Sequence, residues 1–163
     1  MTFIDMPTFE LGMTDNRSDF IGALLSSQYV QTTGTLYRGK NTNRPMMCCM
    51  GVATDRYIRA TPGEKWLTGP SDYYSFRYNE SSMEPQVQRW LGLDDANPTL
   101  WNDTNHLLVG EWQGHSAGGC NDSEDFSFQE IAYLFHHLFT TGQPFSGTKD
   151  VVKSNARIFV SSW

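Results

Sequence analysis

Apolar positions recur with a helical period in four stretches of the chain. Over residues 18–28, Phe20, Ala23, Leu24 and Ser27 share one helical face, with Ile21 and Leu25 beside them and Ser18 placed to cap the start. A second helix is expected over 47–58, where Cys49, Val52, Ala53 and Tyr57 fall at inward spacing. Gly51 inside it costs up to ~1 kcal/mol relative to alanine, so close packing at that point is the expected reason for it. A third helix begins at Ser82 or Glu84, carries Pro85 in its first turn, buries Val87, Trp90 and Leu91, and ends at Gly92. The fourth has the strongest pattern. Ser127 to Glu130 form a capping box, and Ile131, Ala132, Leu134, Phe135, Leu138 and Phe139 make a broad apolar stripe. Gly142 ends this helix and Pro144 prevents its continuation.

Extended segments carry less signal. Residues 29–37 are rich in β-branched and aromatic side chains broken by Gly34, which suits a hairpin or bent strand. Over 73–78, Tyr74, Phe76 and Tyr78 alternate against Ser75 and Arg77, so a strand is expected. Short strands are expected at 107–109 and 158–160. Residues 1–17 lack periodicity and read as an irregular N-terminal arm. Residues 38–45 and 94–98 read as polar loops, Pro62-Gly63 as a turn, and 114–119 as a Gly-rich connection. No repeat, heptad run or low-complexity tract is visible. The expected fold is a single α+β domain over 1–163, with about four helices packed on a small, mainly antiparallel sheet.

With 163 residues and 39% hydrophobic content, the chain can bury roughly two thirds of its unfolded surface. No apolar run approaches the ~20 residues that span a bilayer, and no basic cluster precedes an apolar core at the N-terminus. A cytoplasmic protein with no membrane partner is expected. Three cysteines cannot all pair, and Cys48 and Cys49 are adjacent, so reduced thiols are expected. The net charge of −6 disfavours a general nucleic-acid binder, and the acidic residues are too scattered for mimicry of DNA.

Candidate chemistry gathers in a few places. Arg38, Lys40 and Arg44 fall within seven positions of the loop that feeds the second helix, whose open N–H groups and partial positive charge suit an anion. No Gly-Lys-Ser/Thr triplet accompanies them, which disfavours NTP hydrolysis. Cys48 or Cys49 would serve as a nucleophile if the helix start and Arg44 lowered its pKa and His106 or His115 supplied the base. Buried cysteine is common core material, and packing is the plainer role. A zinc site from Cys48, Cys49, His106, His115 and Cys120 lacks the usual paired spacing, so neither metal nor cofactor is expected. Asn121 and Asp122 suit a turn or cap before the fourth helix, or a polar ligand contact. Tyr37, Trp66, Tyr73, Tyr74, Trp101 and Trp112 would stack on bases or fill the core.

The block Cys48-Cys49-Met50-Gly51-Val52, followed by Asn121-Asp122 and by Ser127-Phe128-Gln129-Glu130-Ile131-Ala132, resembles an uncharacterised family of small bacteriophage and prophage proteins. In that family a "CClGV" block precedes "lND" and "SFxEIA", and a Tyr-x-Gln, here Tyr29 and Gln31, precedes a Gly and a Leu. The resemblance covers residues 20–139, with Cys120 standing where the family has Leu. It implies a phage accessory protein acting on the host. The leading expectation is a homo-oligomeric, non-catalytic binder that counters host defence by sequestering a phosphorylated small molecule such as a nucleotide signal. Its contacts are expected from Tyr37, Arg38, Lys40, Arg44, Asn121 and Asp122. A direct inhibitor of a host defence protein is the alternative, and a Cys-dependent enzyme that degrades a nucleotide or modifies a protein is a third.

Overall fold

Four helices of the chain begin at a hydroxyl side chain that takes up a backbone N–H of the first turn. Thr14 accepts from Arg17, Ser116 from Gly119, Ser127 from Glu130 and Thr148 from Val151. They open α1 (Asp15–Leu25), α4 (Ala117–Asp122), α5 (Phe128–Thr141) and α6 (Lys149–Ser162). Two more, α2 (Cys49–Ala60) and α3 (Pro85–Trp90), have no side-chain cap from their own N-cap residue. These come from a computed structural model that describes residues 8–39, 43–68, 73–106, 114–124 and 126–163.

The strands form two mixed sheets. The first has the order β1-β3-β2-β5-β4, from β1 (Val30–Gln31), β2 (Tyr37–Arg38), β3 (Met46–Met47), β4 (Leu67–Thr68) and β5 (Tyr73–Ser75). Val30 pairs with Met46 in parallel, while Tyr37 faces Met47 on one side and Tyr74 on the other, both antiparallel. In the second sheet β6 (Thr99–Asp103) lies between β7 (Gly114–Ser116) and β8 (Phe145–Gly147), and Trp101 is paired with both His115 and Phe145.

The core is built around α5. Ile131, Leu134, Phe135 and Phe139 are fully buried, and the Phe135 ring meets Phe20 of α1 edge-on at 5.0 Å. Each such side chain contributes about 1.5–3 kcal/mol by leaving water. Gly142 stops the helix in the left-handed conformation. Arg17 is also fully buried. Its Nε donates to Leu91 O at 2.7 Å and its Nη2 to Gly92 O at 2.9 Å, while Nη1 bonds Gly12 O. The guanidinium lies between the Phe9 and Phe139 rings. It ties α1 to the end of α3 and to the segment before α1, and burial lowers its pKa.

Several expectations are corrected. There are six helices among the described residues instead of about four, and two sheets instead of one, each with a parallel pair. The helix expected to start at Ser18 starts at Asp15, so the irregular arm is shorter than 1–17; the Thr14 cap is the local reason. The Gly-rich stretch at 114–119 yields β7 and the start of α4, because burying Ala117, Cys120 and Asn121 outweighs the weak helix propensity of two glycines. Residues 158–160 are helical in α6. Their β-branched character misleads, while Val152, Ala156 and Phe159 carry the period that packs on Tyr133 and His136 of α5. The strand at 73–78 ends at Ser75. Phe76 and Asn79 then exchange both backbone bonds around a two-residue turn, which leaves Tyr78 90% exposed. The strand expected at 107–109 and Trp112 lie outside the described residues.

The expectation for Gly51 has a specific physical basis. A Cβ there would stand 1.8 Å from the carbonyl oxygen of Leu36, so α2 rests directly on the backbone entering β2. Gly51→Ala should therefore lower the unfolding free energy read from urea melts by several kcal/mol or abolish folding. Gly22→Ala, in open space on α1, should be neutral or stabilise by up to ~1 kcal/mol. Equal effects in urea melts would refute the contact.

Candidate functional site

The buried start of α2 takes its cap from a distant residue. Asn121 Oδ1, at the end of α4, accepts the Cys49 backbone N–H at 3.2 Å and Gln31 Nε2 at 3.0 Å. Asn121 Nδ2 donates to Thr32 O and to Asp122 Oδ1, each at 2.8 Å. One amide thus joins α4, β1 and α2 at a position only 2% exposed. The cap expected of Asn121 for the following helix goes instead to α2, and Ser127 with Glu130 caps α5.

A second tie lies nearly two turns further along α2, at Asp55. Tyr29 Oη donates to Asp55 Oδ2 at 2.5 Å, Arg59 Nε to the same oxygen at 2.8 Å, and Trp66 Nε1 to Oδ1 at 3.0 Å. Burial and the bond to Asp55 push the Tyr29 hydroxyl up to about 12. Tyr37 packs beside this group, stacked on Tyr74 at 4.1 Å and edge-on to Trp66. Asp55 carries no signal of this role in the sequence, because an acidic residue at an unremarkable spacing has none of its own.

The six residues expected to contact a ligand fall in different places. Tyr37 and Arg38 alternate across β2, so Tyr37 turns inward and the Arg38 guanidinium lies 5.9 Å over the Tyr73 ring. Arg38 lines a surface cleft of about 390 Å³ together with Thr33, Thr35, Tyr73, Glu80 and Ser81. Arg44 donates to Ser27 O at 3.2 Å, away from that cleft. Lys40 lies outside the described residues. Asn121 and Asp122 stand at the α2 start, whose Cys49 N–H is already taken and whose residues 48–52 are buried. That helix end presents no open anion site.

All three thiols are buried and unpaired with one another. Desolvation raises Cys48 to about 11, against the lowering effect of the Gly51 and Met50 N–H groups, and holds Cys49 well above the ordinary thiol value. Cys120 is pushed up to about 12 by burial and then by Glu124. Such thiols are protonated at neutral pH and lack the low pKa of a nucleophile. Among the described residues, no group of three His, Cys, Asp or Glu side chains is placed to hold a metal ion. His115 stacks on Trp101 at 4.7 Å and meets Glu124 through Nδ1 at 3.5 Å.

Residues 14–139 match the family described as "Domain of unknown function (DUF8296)". The chain belongs to that family. No curated protein and no solved structure matches it. The DUF8296 span contains the Asn121 cap, the Asp55 group and the Arg38 cleft, while β8 and α6 lie beyond it. No helix among the described residues is long and apolar enough to cross a membrane.

Two outcomes follow from this geometry. Asn121→Ala strands the Cys49 N–H and Thr32 O in a buried place, while Gln31 keeps its bond to Phe126 O, and should cost about 2–4 kcal/mol in urea unfolding. The thiols bind their protons more tightly in the fold than in the unfolded chain, where the ordinary value is near 9. Stability should hold up to that pH and fall as pH rises through about 11, with native thiols inert to a disulfide reagent at pH 7.5. Rapid labelling of Cys48 at that pH would overturn the assignment.

Proposed function

We propose that the protein is a non-catalytic binding protein that sequesters a phosphorylated small molecule, such as a nucleotide signal, in the Arg38 cleft. In this reading it is a phage-encoded, homo-oligomeric accessory protein that counters defence in the host cytoplasm. The observation that carries the reading is the state of Arg38. Arg56, Arg59, Arg77, Lys149 and Lys153 each face a carboxylate. Arg38 has none among the described residues and lies over an aromatic ring at the edge of a cleft. A guanidinium pairs with phosphate through two parallel N–H bonds, and the Tyr73 face suits a base. The cleft's volume falls within the range of small-ligand sites. Resemblance to phage and prophage proteins supports the accessory role by analogy.

Native mass spectrometry of protein purified from a bacterium carrying nucleotide-based defence tests this. A symmetric oligomer that releases an intact mass of several hundred daltons on denaturation is expected. Arg38→Ala should lose that mass and weaken binding at least tenfold at unchanged melting temperature, while Arg44→Ala should retain it. A bare wild-type species would sink the reading.

A second reading, direct inhibition of a host defence protein, is favoured by Tyr78. Arg77 and Tyr78 both sit at positive φ (50° and 68°) in the turn after Phe76, a conformation that costs non-glycine residues about 1–3 kcal/mol each. The turn presents an almost fully exposed tyrosine. Tyr78→Gly should raise the melting temperature and abolish capture of a stoichiometric host protein. No such protein recovered by the wild type would count against this reading.

A further inference from the structure

The Arg38 cleft does not end at Thr33. That residue also lines a second cleft of about 350 Å³ on its other side, together with Gln31, Asn121, Phe126 and Ser127. Exposed Thr33 is therefore a wall residue common to two adjoining clefts, the two halves of the candidate trough, and the halves differ in chemistry.

The first half holds a cation, an acid and an aromatic face: Arg38, Glu80 and Tyr73. Among the described residues, the second half has no charged side chain in its wall. Its polar groups are held in one orientation by their partners. Gln31 Nε2 donates to Asn121 Oδ1 at 3.0 Å and to Phe126 O at 2.7 Å, and both of these partners can only accept. Asn121 is itself fixed, because its Oδ1 faces the Cys49 N–H and its Nδ2 faces Thr32 O. The Gln31 amide therefore cannot flip, and its Oε1 is left as an acceptor in the uncharged half. Ser127 Oγ accepts from Glu130 N, which leaves its proton to donate.

We infer that the trough takes a phosphodiester-linked dinucleotide, with its phosphate at Arg38, one base against Tyr73 and the second base presenting N–H donors to Gln31 Oε1. The inference rests on the sequestering function proposed above and goes beyond it in naming the ligand class. One guanidinium matches the single negative charge of a phosphodiester. Glu80 in the same half repels further anionic charge, so mononucleotide triphosphates are disfavoured. Two clefts of similar volume that share Thr33 suit two nucleosides better than one.

Calorimetric titration of the full chain with ApA, GpG, CpC and UpU, and with AMP, GMP, CMP, UMP and ATP, tests this. At least one dinucleotide should bind tenfold or more tightly than its own mononucleotide, and ATP should bind no better than AMP. Gln31→Met should bring the preferred dinucleotide down to the mononucleotide level, with the melting temperature read alongside. If that variant unfolds, the wild-type ligand series still decides. Equal affinity for mono- and dinucleotides, both lost in Arg38→Ala, would overturn the dinucleotide and leave the sequestering function standing. Tightest binding of ATP would overturn the charge argument. No binding of any of the nine would overturn the dinucleotide, and the nucleotide reading of the cleft with it.

Discussion

A helix that begins inside a protein must find acceptors for its first N–H groups, and α2 begins at a cysteine that offers no cap. Asn121 supplies the acceptor from 72 residues away, and the rest of the arrangement depends on that bond. The same side chain satisfies Gln31 and Thr32 O, so β1 cannot shift without breaking the cap. Gly51 then sets how closely α2 approaches Leu36. The Tyr29–Asp55 bond holds the next turn of the helix against the segment entering β1. Three contacts along one helix fix its height, rotation and distance from the first sheet. Each lost partner would leave a buried group at a cost of about 1–3 kcal/mol, which is a large share of a typical total stability.

The short blocks singled out along the chain supply the residues that hold α2 in place and start α5. Asn121 bonds both Gln31 and Cys49, Tyr29 bonds Asp55 of the same helix, Gly51 rests on Leu36, and Ser127 and Glu130 start the central helix. Read as short blocks along the chain, they suggest a site. In space they form the frame on which a site is mounted. The candidate site itself sits beside the frame, in Arg38, Tyr73, Glu80 and the loop at 33–34. A frame residue, Gln31, whose orientation is fixed by structural bonds, lines the neighbouring cleft that shares Thr33.

How much was legible from the pattern of residues depended on range. The capping box at Ser127, the stop at Gly142 and the α5 stripe are local and were readable at once. So was the need for a close neighbour at Gly51, though not that the neighbour is Leu36. The α4 helix was invisible because its glycines argue against it locally, and only the burial of Cys120 and Asn121 compensates. The α6 helix was half visible, since Ile158-Phe159-Val160 fits a strand until Val152 and Ala156 are counted with it. The loop at 38–44 looked like one basic cluster because its cations are close in sequence. Strand geometry sends Arg38 to Tyr73, whereas Arg44 bonds to Ser27. Sheet order, with β3 between β1 and β2, is a long-range property that no local pattern encodes.

The cysteines show which of two opposing effects wins at a helix start. Backbone N–H groups of Met50 and Gly51 point at Cys48 and favour its thiolate, the arrangement that activates nucleophilic cysteines elsewhere. Activation also requires that the thiolate meet solvent or a cation, and Cys48 is 3% exposed with Asp122 as the nearby charge. Desolvation dominates, and the thiol rises above its ordinary value instead of falling. The same burial that lets Asn121 serve as a cap therefore takes both the anion site and the nucleophile away from this helix start. Arg38, by contrast, stands at a surface cleft with Thr33, Tyr73 and Glu80, away from that buried helix start.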